Sequence, residues 1–230
     1  MYPAWTFWQG GPAIWPLYPT GLGRWDIMSE ELIQESNSMT WEDKFQTAYF
    51  RGTRTSDERD FLIRLNTNHP ELVNATYIKH QSKHINDKTI ELFGIQPGEP
   101  VSLVDHCHYM YLINMKGVAA SFRYKYLFLC NSLVFQINGN EEWKEMFYDA
   151  MIPWIHYIPI HHSSKIEEEL TIEYFNSNQD QAKQISQNGY DFIKNHLRMD
   201  DIYLYWKELL LQYSKLVDYI PTRDMTFIEK

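Results

Sequence analysis

Cysteine is scarce in this chain: Cys107 and Cys130 are its two cysteines in 230 residues. Two cannot build a disulfide scaffold, so an apolar core must hold the fold. They read as one bridge or as two buried thiols. A basic excess is also missing. Asp and Glu number 30 against 21 Lys and Arg, a net charge of −9, which excludes a broad electrostatic surface for nucleic acid. No apolar run approaches the ~20 residues of a membrane-spanning helix. The opening Met1-Tyr2-Pro3-Ala4-Trp5 has neither a charged leader nor an apolar h-region, so no signal peptide is expected. G-x-G-x-x-G, P-loop, G-x-S-x-G, H-E-x-x-H and C-x-x-C are all absent. No repeat of roughly 20–50 residues recurs.

What is present is globular. Hydrophobic residues make up 44% and charged residues 22%, an ordinary balance for one large domain or two small ones. Aromatics reach 16%, and most of these rings must be buried. They crowd the start, where Trp5, Trp8, Trp15, Tyr18 and Trp25 alternate with Pro3, Pro12, Pro16, Pro19 and four glycines. Such density rules out long helices and central strands. The segment reads as an ordered aromatic loop, and as the middle of a protein. It is either a binding platform or a packed loop core.

Downstream, strands are expected at Thr47–Arg51, Val101–Asp105, Tyr109–Met115, Leu133–Ile137 and Trp154–Ile160. Helices are expected at Ser29–Glu35 with Ser29 as cap, Asp57–Leu65 capped by Ser56, and Ala119–Leu129. Three more follow at Lys165–Phe175, Gln179–His196 and Asp200–Val217, the last amphipathic through Ile202, Leu204, Tyr205, Leu209, Tyr213 and Leu216. Alternating strands and helices imply βαβ units and a parallel sheet.

Three constellations stand out. Arg51-Gly52-Thr53-Arg54-Thr55-Ser56-Asp57-Glu58-Arg59 lies between a strand and a helix. Arg forks match phosphate oxygens, and helix N-termini add N–H donors. The alternative is a solvated loop of internal Arg–Asp and Arg–Glu pairs. Gly117-Val118-Ala119-Ala120-Ser121-Phe122-Arg123 follows a strand. Its small residues admit a ligand to the backbone at the carboxyl edge of the sheet, or serve only strand-to-helix packing. Asp105-His106-Cys107-His108, with His161-His162, carries zinc-type ligands. Its spacing does not suit a zinc site, because neighbouring strand residues face opposite ways. The only sequon is Asn74-Ala75-Thr76.

The run from Pro3 through Trp15-Pro16-Leu17-Tyr18-Pro19 to Trp25-Asp26 resembles the Rumi-type protein O-glucosyltransferase family. So do Tyr49 to Ser56 with Glu58-Arg59-Asp60, Leu103 to Cys107, Gly117 to Arg123, Leu127 to Cys130 and Trp154 to Pro159. The match covers nearly the whole chain, in order. The resemblance implies an α/β, GT-B-like glycosyltransferase, of which this chain holds mainly the C-terminal Rossmann-like half and C-terminal helices. It divides the chain into residues 1–28 (acceptor and donor contact), 29–197 (UDP-sugar binding) and 198–230 (a helix packing on the other half). It implies inverting, metal-free transfer from UDP-glucose or UDP-xylose to Ser in C-x-S-x-P-C of EGF-like repeats such as those of Notch. The form it implies is a monomer in the endoplasmic reticulum lumen, without nucleic acid or membrane insertion.

By motif, Ala13, Ile14, Trp15, Pro16, Leu17, Tyr18 and Pro19 match acceptor contacts, Tyr18 also reaching the donor. Thr53, Arg59, Val118, Ala119, Ala120, Ser121, Phe122 and Arg123 match UDP-sugar contacts, and Cys107 and Cys130 match a disulfide. The family's catalytic Asp lies upstream of the opening run. A partner cysteine is replaced within Ile202-Tyr203-Leu204-Tyr205-Trp206, and Phe227-Ile228-Glu229-Lys230 lacks a KDEL-like signal. The chain is therefore expected to be inactive alone. The alternative is a non-catalytic paralogue that binds UDP-sugar or EGF-like domains.

Overall fold

Tyr109-Met110-Tyr111-Leu112-Ile113-Asn114-Met115 is apolar at all positions but one, the mark of a strand covered on both faces. In the computed structural model, which describes residues 1–8, 22–80, 82–117, 119–138, 143–161 and 171–218, this segment is the central strand. The strands are β1 (Phe45–Gly52), β2 (Val73–Tyr77), β3 (Tyr109–Met115), β4 (Leu133–Asn138) and β5 (Ile158–His161). They pair in the order β2-β1-β3-β4-β5, all parallel. The chain winds outward from β1 to β2, then crosses back to β3. The β1–β3 junction is thus the switch point, where a crevice opens beyond the strands' carboxyl ends.

The helices are α1 (Trp25–Ser38), α2 (Asp60–Asn68), α3 (Lys83–Phe93), α4 (Leu103–His106), α5 (Tyr124–Phe128), α6 (Ile172–Ser177), α7 (Gln179–His196) and α8 (Met199–Ser214). Side-chain alternation along the strands feeds two cores. Phe50, Tyr77, Tyr111, Ile113, Leu133 and Phe135 pack with Leu62 of α2, Phe175 of α6 and Ile185 of α7. Tyr49, Leu112 and Val134 point the other way, onto Leu32 of α1, Leu103 of α4, Phe128 of α5 and Ile193 of α7. A disulfide joins Cys107, just after α4, to Cys130, just after α5, inside this second core. Beside it the buried Lys44 Nζ donates to the carbonyls of Cys130 (2.5 Å) and Asn131 (3.2 Å) and to Ser132 Oγ (2.9 Å). The amine, its pKa pulled down to about 7 by burial, thereby closes the C-terminal end of α5. Gly189 of α7 sits under the β4–β5 connection, where an added Cβ would lie 2.5 Å from the His156 carbonyl oxygen and 2.8 Å from the Phe128 ring.

The start of the chain packs against the same core. Thr6 and Phe7 are fully buried. Lys125 Nζ donates to Thr6 Oγ1 (2.9 Å), the Phe122 carbonyl (3.1 Å) and Glu145 Oε2 (3.1 Å), so the buried cation is paired. Trp206 of α8 lies near the rings of Tyr2 and Trp8.

Several expected elements differ. Val101–Asp105 is not a strand: Ser102 Oγ accepts from Val104 N, Asp105 Oδ2 accepts from Ser102 N, and this cap starts α4. The premise that neighbouring residues of Asp105–His108 alternate faces along a strand falls with it, since Asp105 and His106 lie in α4. The Ala119–Leu129 helix shrinks to α5, because Ser121 Oγ donates to Asn114 Oδ1 on β3 (2.7 Å) and pins the preceding residues to the sheet edge. α1 begins at Trp25, four residues before the expected cap Ser29. The Trp25 indole donates to the Leu197 carbonyl (2.7 Å), so tertiary contact sets its start. Ser56 makes no capping bond; a 3-10 turn, Asp57–Arg59, leads into α2 instead, which runs on to Asn68. β5 is shorter than expected because Trp154 (φ 65°) turns the chain before it. Pro159 is tolerated within β5 because β5 is an edge strand. Of the helix expected over Lys165–Phe175, residues 165–170 lie outside the described residues, and α6 runs from Ile172 two residues past the expected end, to Ser177; α8 ends at Ser214 rather than Val217. β2 and α3, unforeseen, complete the sheet edge next to the switch point.

Candidate functional site

β1 and β3 end side by side at the switch point, each followed by a loop. Between them lies a cleft of about 410 Å³, within the range of small-molecule sites. Its polar wall carries Arg51, Thr53, Thr55, Arg59, Ser121 and Arg123; Leu22, Ile78, Val101, Leu103 and Phe122 give it an apolar side. Trp5 meets Phe122 edge-on at 5.7 Å, so the aromatic N-terminal segment reaches the rim.

The arginines differ in what they hold. Arg54 makes a two-pronged bond to Asp60 (2.8 and 2.7 Å), and Tyr77 OH donates to the same carboxylate (2.8 Å). Arg51 donates to the carbonyls of Phe50 and Asn74 (2.9 Å each) and to Asn74 Oδ1 (2.7 Å). Arg59 is buried and spans the two loops. Nε donates to the Lys116 carbonyl (2.9 Å), NH1 to the Thr53 carbonyl (2.8 Å), and NH2 to the carbonyls of Met115 (3.2 Å) and Lys116. Gly52 gives it room: a Cβ there would stand 3.3 Å from Arg59 NH1 and 3.0 Å from the Phe50 ring. A Lys116–Glu58 ion pair (2.9 Å) ties the loops again.

Arg123 is different. NH1 donates to the Arg51 carbonyl and the guanidinium lies over the Phe50 ring at 4.8 Å, but its buried NH2 has no partner among the described residues. Burial, reinforced by the nearby Arg59 charge, pulls its pKa down to about 9. Burial does the same to Arg59, to about 10. Both remain cations at neutral pH, and a buried cation with an open donor favours an incoming anion.

The loop that carries Arg123 is fixed from below. Asn114 is fully buried; its Nδ2 donates to Gln136 Oε1 on β4 (2.5 Å), while its Oδ1 holds Ser121. Of the residues expected at a donor site, Thr53, Arg59, Ala120, Ser121, Phe122 and Arg123 line the cleft and Ala119 sits in the loop beside them. Val118 and the whole stretch Ala13 to Pro19, Tyr18 included, lie outside the described residues. Sequence spacing brings His106 forward only as a metal ligand; the structure places it in the cleft lining, and Cys107 beside it is in the disulfide. Thr55, inside the Arg-rich run but without an expected role, lines the cleft too. None of the described residues lining it is acidic.

A family model described as Glycosyl transferase family 90 matches residues 1–229. Protein O-glucosyltransferase 1 of Homo sapiens is 51% identical over 223 residues, 97% of this chain and 55% of that protein. The O-glucosyltransferase rumi homolog of Anopheles gambiae is 49% identical over 230 residues, 100% of this chain and 56% of that protein. The chain thus spans about half the length of the curated relatives it matches. Among solved structures, Anabaena Alr3699/HepE in complex with UDP-glucose aligns with a TM-score of 0.54 at 12% identity, over 80% of this chain and 52% of that one. Sucrose-phosphate synthase from Thermosynechococcus elongatus aligns with a TM-score of 0.53 at 7% identity, over 80% and 49%. At such identities the likeness is one of fold, the parallel Rossmann-like α/β arrangement found in glycosyltransferases of GT-B type.

Proposed function

The chain belongs to glycosyl transferase family 90, and from that premise we propose that it is the donor-binding half of a protein O-glucosyltransferase, its cleft holding UDP-glucose or UDP-xylose. The observation that carries this reading is Arg123, a buried cation with an open NH2 at the switch point between β1 and β3. Phosphate oxygens are the acceptors that such a donor fits.

In the reaction proposed, a Ser hydroxyl of an EGF-like repeat attacks the anomeric carbon with inversion. The bond from that carbon to the diphosphate oxygen breaks, and UDP leaves with the electron pair. Arg123 and the remaining NH1 hydrogen of Arg59 meet the charge that grows on UDP, the role a metal ion has elsewhere. Ser121 and Thr53 frame the diphosphate, and the apolar side seats the base. A carboxylate must take the serine proton. The described cleft residues supply none, so we assign it to the part of the relatives that this chain does not span. Residues 13–19 are proposed to meet the acceptor. The disulfide fits an oxidising compartment such as the endoplasmic reticulum lumen. Among the described residues no helix is long and apolar enough to cross a membrane. We further propose the division of the chain at residues 28 and 197, with 198–230 packing on the part of the relatives that this chain does not span. The exposed Leu204, Leu210, Leu211 and Tyr213 of α8 support this.

Titration of the purified chain with UDP tests the reading. Saturable binding is expected, weakened roughly 10- to 100-fold by Arg123→Ala through loss of a charge-assisted hydrogen bond. Transfer to an EGF-like repeat by the chain alone is expected to be undetectable. A cooperatively folded chain that ignores UDP sinks the reading.

A further inference from the structure

Four buried polar atoms in or beside the cleft have no hydrogen-bond partner among the described residues: Thr55 Oγ1, Ser56 Oγ, Arg123 NH2 and His106 Nε2. Hydroxyls rotate to suit either role, and Arg123 donates only. His106 is the one whose role is fixed by its surroundings. The ring is 4% exposed, and its Nδ1 lies 3.0 Å from the Ser102 carbonyl oxygen at the cap of α4. A carbonyl only accepts, so Nδ1 carries the hydrogen and Nε2 presents a lone pair. Tyr49 meets the ring edge-on at 5.0 Å, and Cys107 next to it is locked by the disulfide. The imidazole therefore cannot turn its other edge to the cleft without losing its anchor. Burial first, then the Arg123 and Arg51 charges, keep it neutral, its pKa pushed down to about 3.

The lone pair of Nε2 repels phosphate oxygens and attracts an O–H or N–H. His106 and Arg123 line the same cleft with opposite demands, one for a donor and one for an anion. We propose that His106 is a specificity-determining residue of this site: Nε2 accepts a hydrogen bond from a neutral O–H or N–H of the nucleotide sugar and so directs the diphosphate toward Arg123. The proposal rests on the donor-site reading above. The partner group belongs either to the nucleoside or to the transferred sugar.

Calorimetric titrations of the wild-type chain, His106→Phe and His106→Gln with UDP, UDP-glucose and inorganic pyrophosphate decide it. His106→Phe removes the acceptor, whereas the Gln side-chain oxygen can replace it. The expected result is UDP binding roughly tenfold weaker in His106→Phe, near wild type in His106→Gln, with pyrophosphate unchanged in both. A loss confined to UDP-glucose also supports the proposal and puts the partner group on the sugar. Equal weakening for all three ligands means His106 only supports the Arg123 loop, and no weakening for any means it touches nothing; either overturns the proposal. A wild-type chain that binds none of the three overturns this proposal together with the donor-site reading. Should His106→Phe not fold, the wild-type imidazole ¹⁵N signals decide instead. The Nε2 resonance is expected to move with UDP or UDP-glucose and not with pyrophosphate. A resonance that stays still at saturation with all three overturns the proposal.

Discussion

Arg51, Arg54, Arg59 and Arg123 share one edge of the sheet, yet each is set by what its neighbours offer. Arg54 meets a carboxylate, Arg51 a side-chain amide, and Arg59 a set of strand-end carbonyls. Sequence spacing offers two readings of the Arg-rich run, phosphate site or internal pairs; Arg54 pairs with Asp60 just past the run, and the phosphate site remains the proposal made above. Which arginine keeps a donor open depends on carbonyls from β3, some 57 positions from Arg59, and no local pattern contains that. His106 is visible in the sequence for the wrong reason, as a zinc-type ligand. Its neutral state has a measurable consequence for stability. The unfolded imidazole takes up a proton near the ordinary histidine value of 6.5, whereas the folded one holds out to about 3. Arg123, Arg51, the Ser102 carbonyl and the Tyr49 ring face it, and none of them favours the charged form except the carbonyl. The unfolded state therefore binds more protons across that window. Folding stability attributable to His106 falls as pH drops from about 6.5 toward 3, by about 1.4 kcal/mol per pH unit. Urea unfolding at pH 7, 5.5 and 4.5 should show this slope for the wild type, and a flatter one for His106→Gln.

Among elements, the long periodic ones are legible and the short capped ones are not. Gln179–His196 and Tyr109–Met115 can be read to the residue, the first from its 3.6-residue periodicity and the second from continuous apolarity. α4 passes for a strand because four residues carry no periodicity; only the Ser102–Asp105 cap reveals it. The segment after β3 passes for a helix because small residues and a late aromatic run look helical, while the bonds that straighten it come from Asn114 and Gln136 below. α7 shows how tightly an element can be seated. Gly189→Ala places a methyl against the His156 carbonyl and the Phe128 ring, both in packed surroundings. Forcing that approach should cost about 1–3 kcal/mol or more, through displacement of α7 from β4. Thermal unfolding of Gly189→Ala should fall by several degrees relative to wild type. An unchanged midpoint would show that α7 shifts freely.

For the whole molecule, the sequence pattern implies a parallel sheet only as βαβ alternation; the order β2-β1-β3-β4-β5 needs β2, which Val73 to Tyr77 does not announce. Both loops of the cleft are legible from sequence because each lies between a strand and a helix, and strand ends are where open α/β sheets bind ligands. α8 has a different standing. Ile202 is buried, whereas Leu204 is 65% and Leu211 49% exposed. A helix so apolar on its open side is a surface awaiting cover, in line with the proposed packing on the part of the relatives that this chain does not span. The double variant Leu204→Glu with Leu211→Glu should leave the unfolding free energy of the chain within about 0.5 kcal/mol. It should also reduce self-association in size-exclusion chromatography with light scattering. A large loss of stability would show instead that these side chains belong to the present core.

Asn74 has a place in β2 that the sequon Asn74-Ala75-Thr76 does not disclose. Arg51 NH2 donates to its side-chain oxygen at 2.7 Å, and its amide nitrogen donates to Tyr109 OH at 3.4 Å. N-linked glycans are added to a side-chain amide that is presented openly, typically in a surface loop. In a secretory compartment the two events compete in time: either the strand docks and withdraws the amide, or the sugar arrives first and the Arg51 contact is lost. Occupancy at Asn74 is thus a clock for how long the nascent chain stays open. Mass spectrometry of the chain expressed into a secretory compartment should find the site unmodified in the native pool, and any glycan enriched in the fraction that failed to fold.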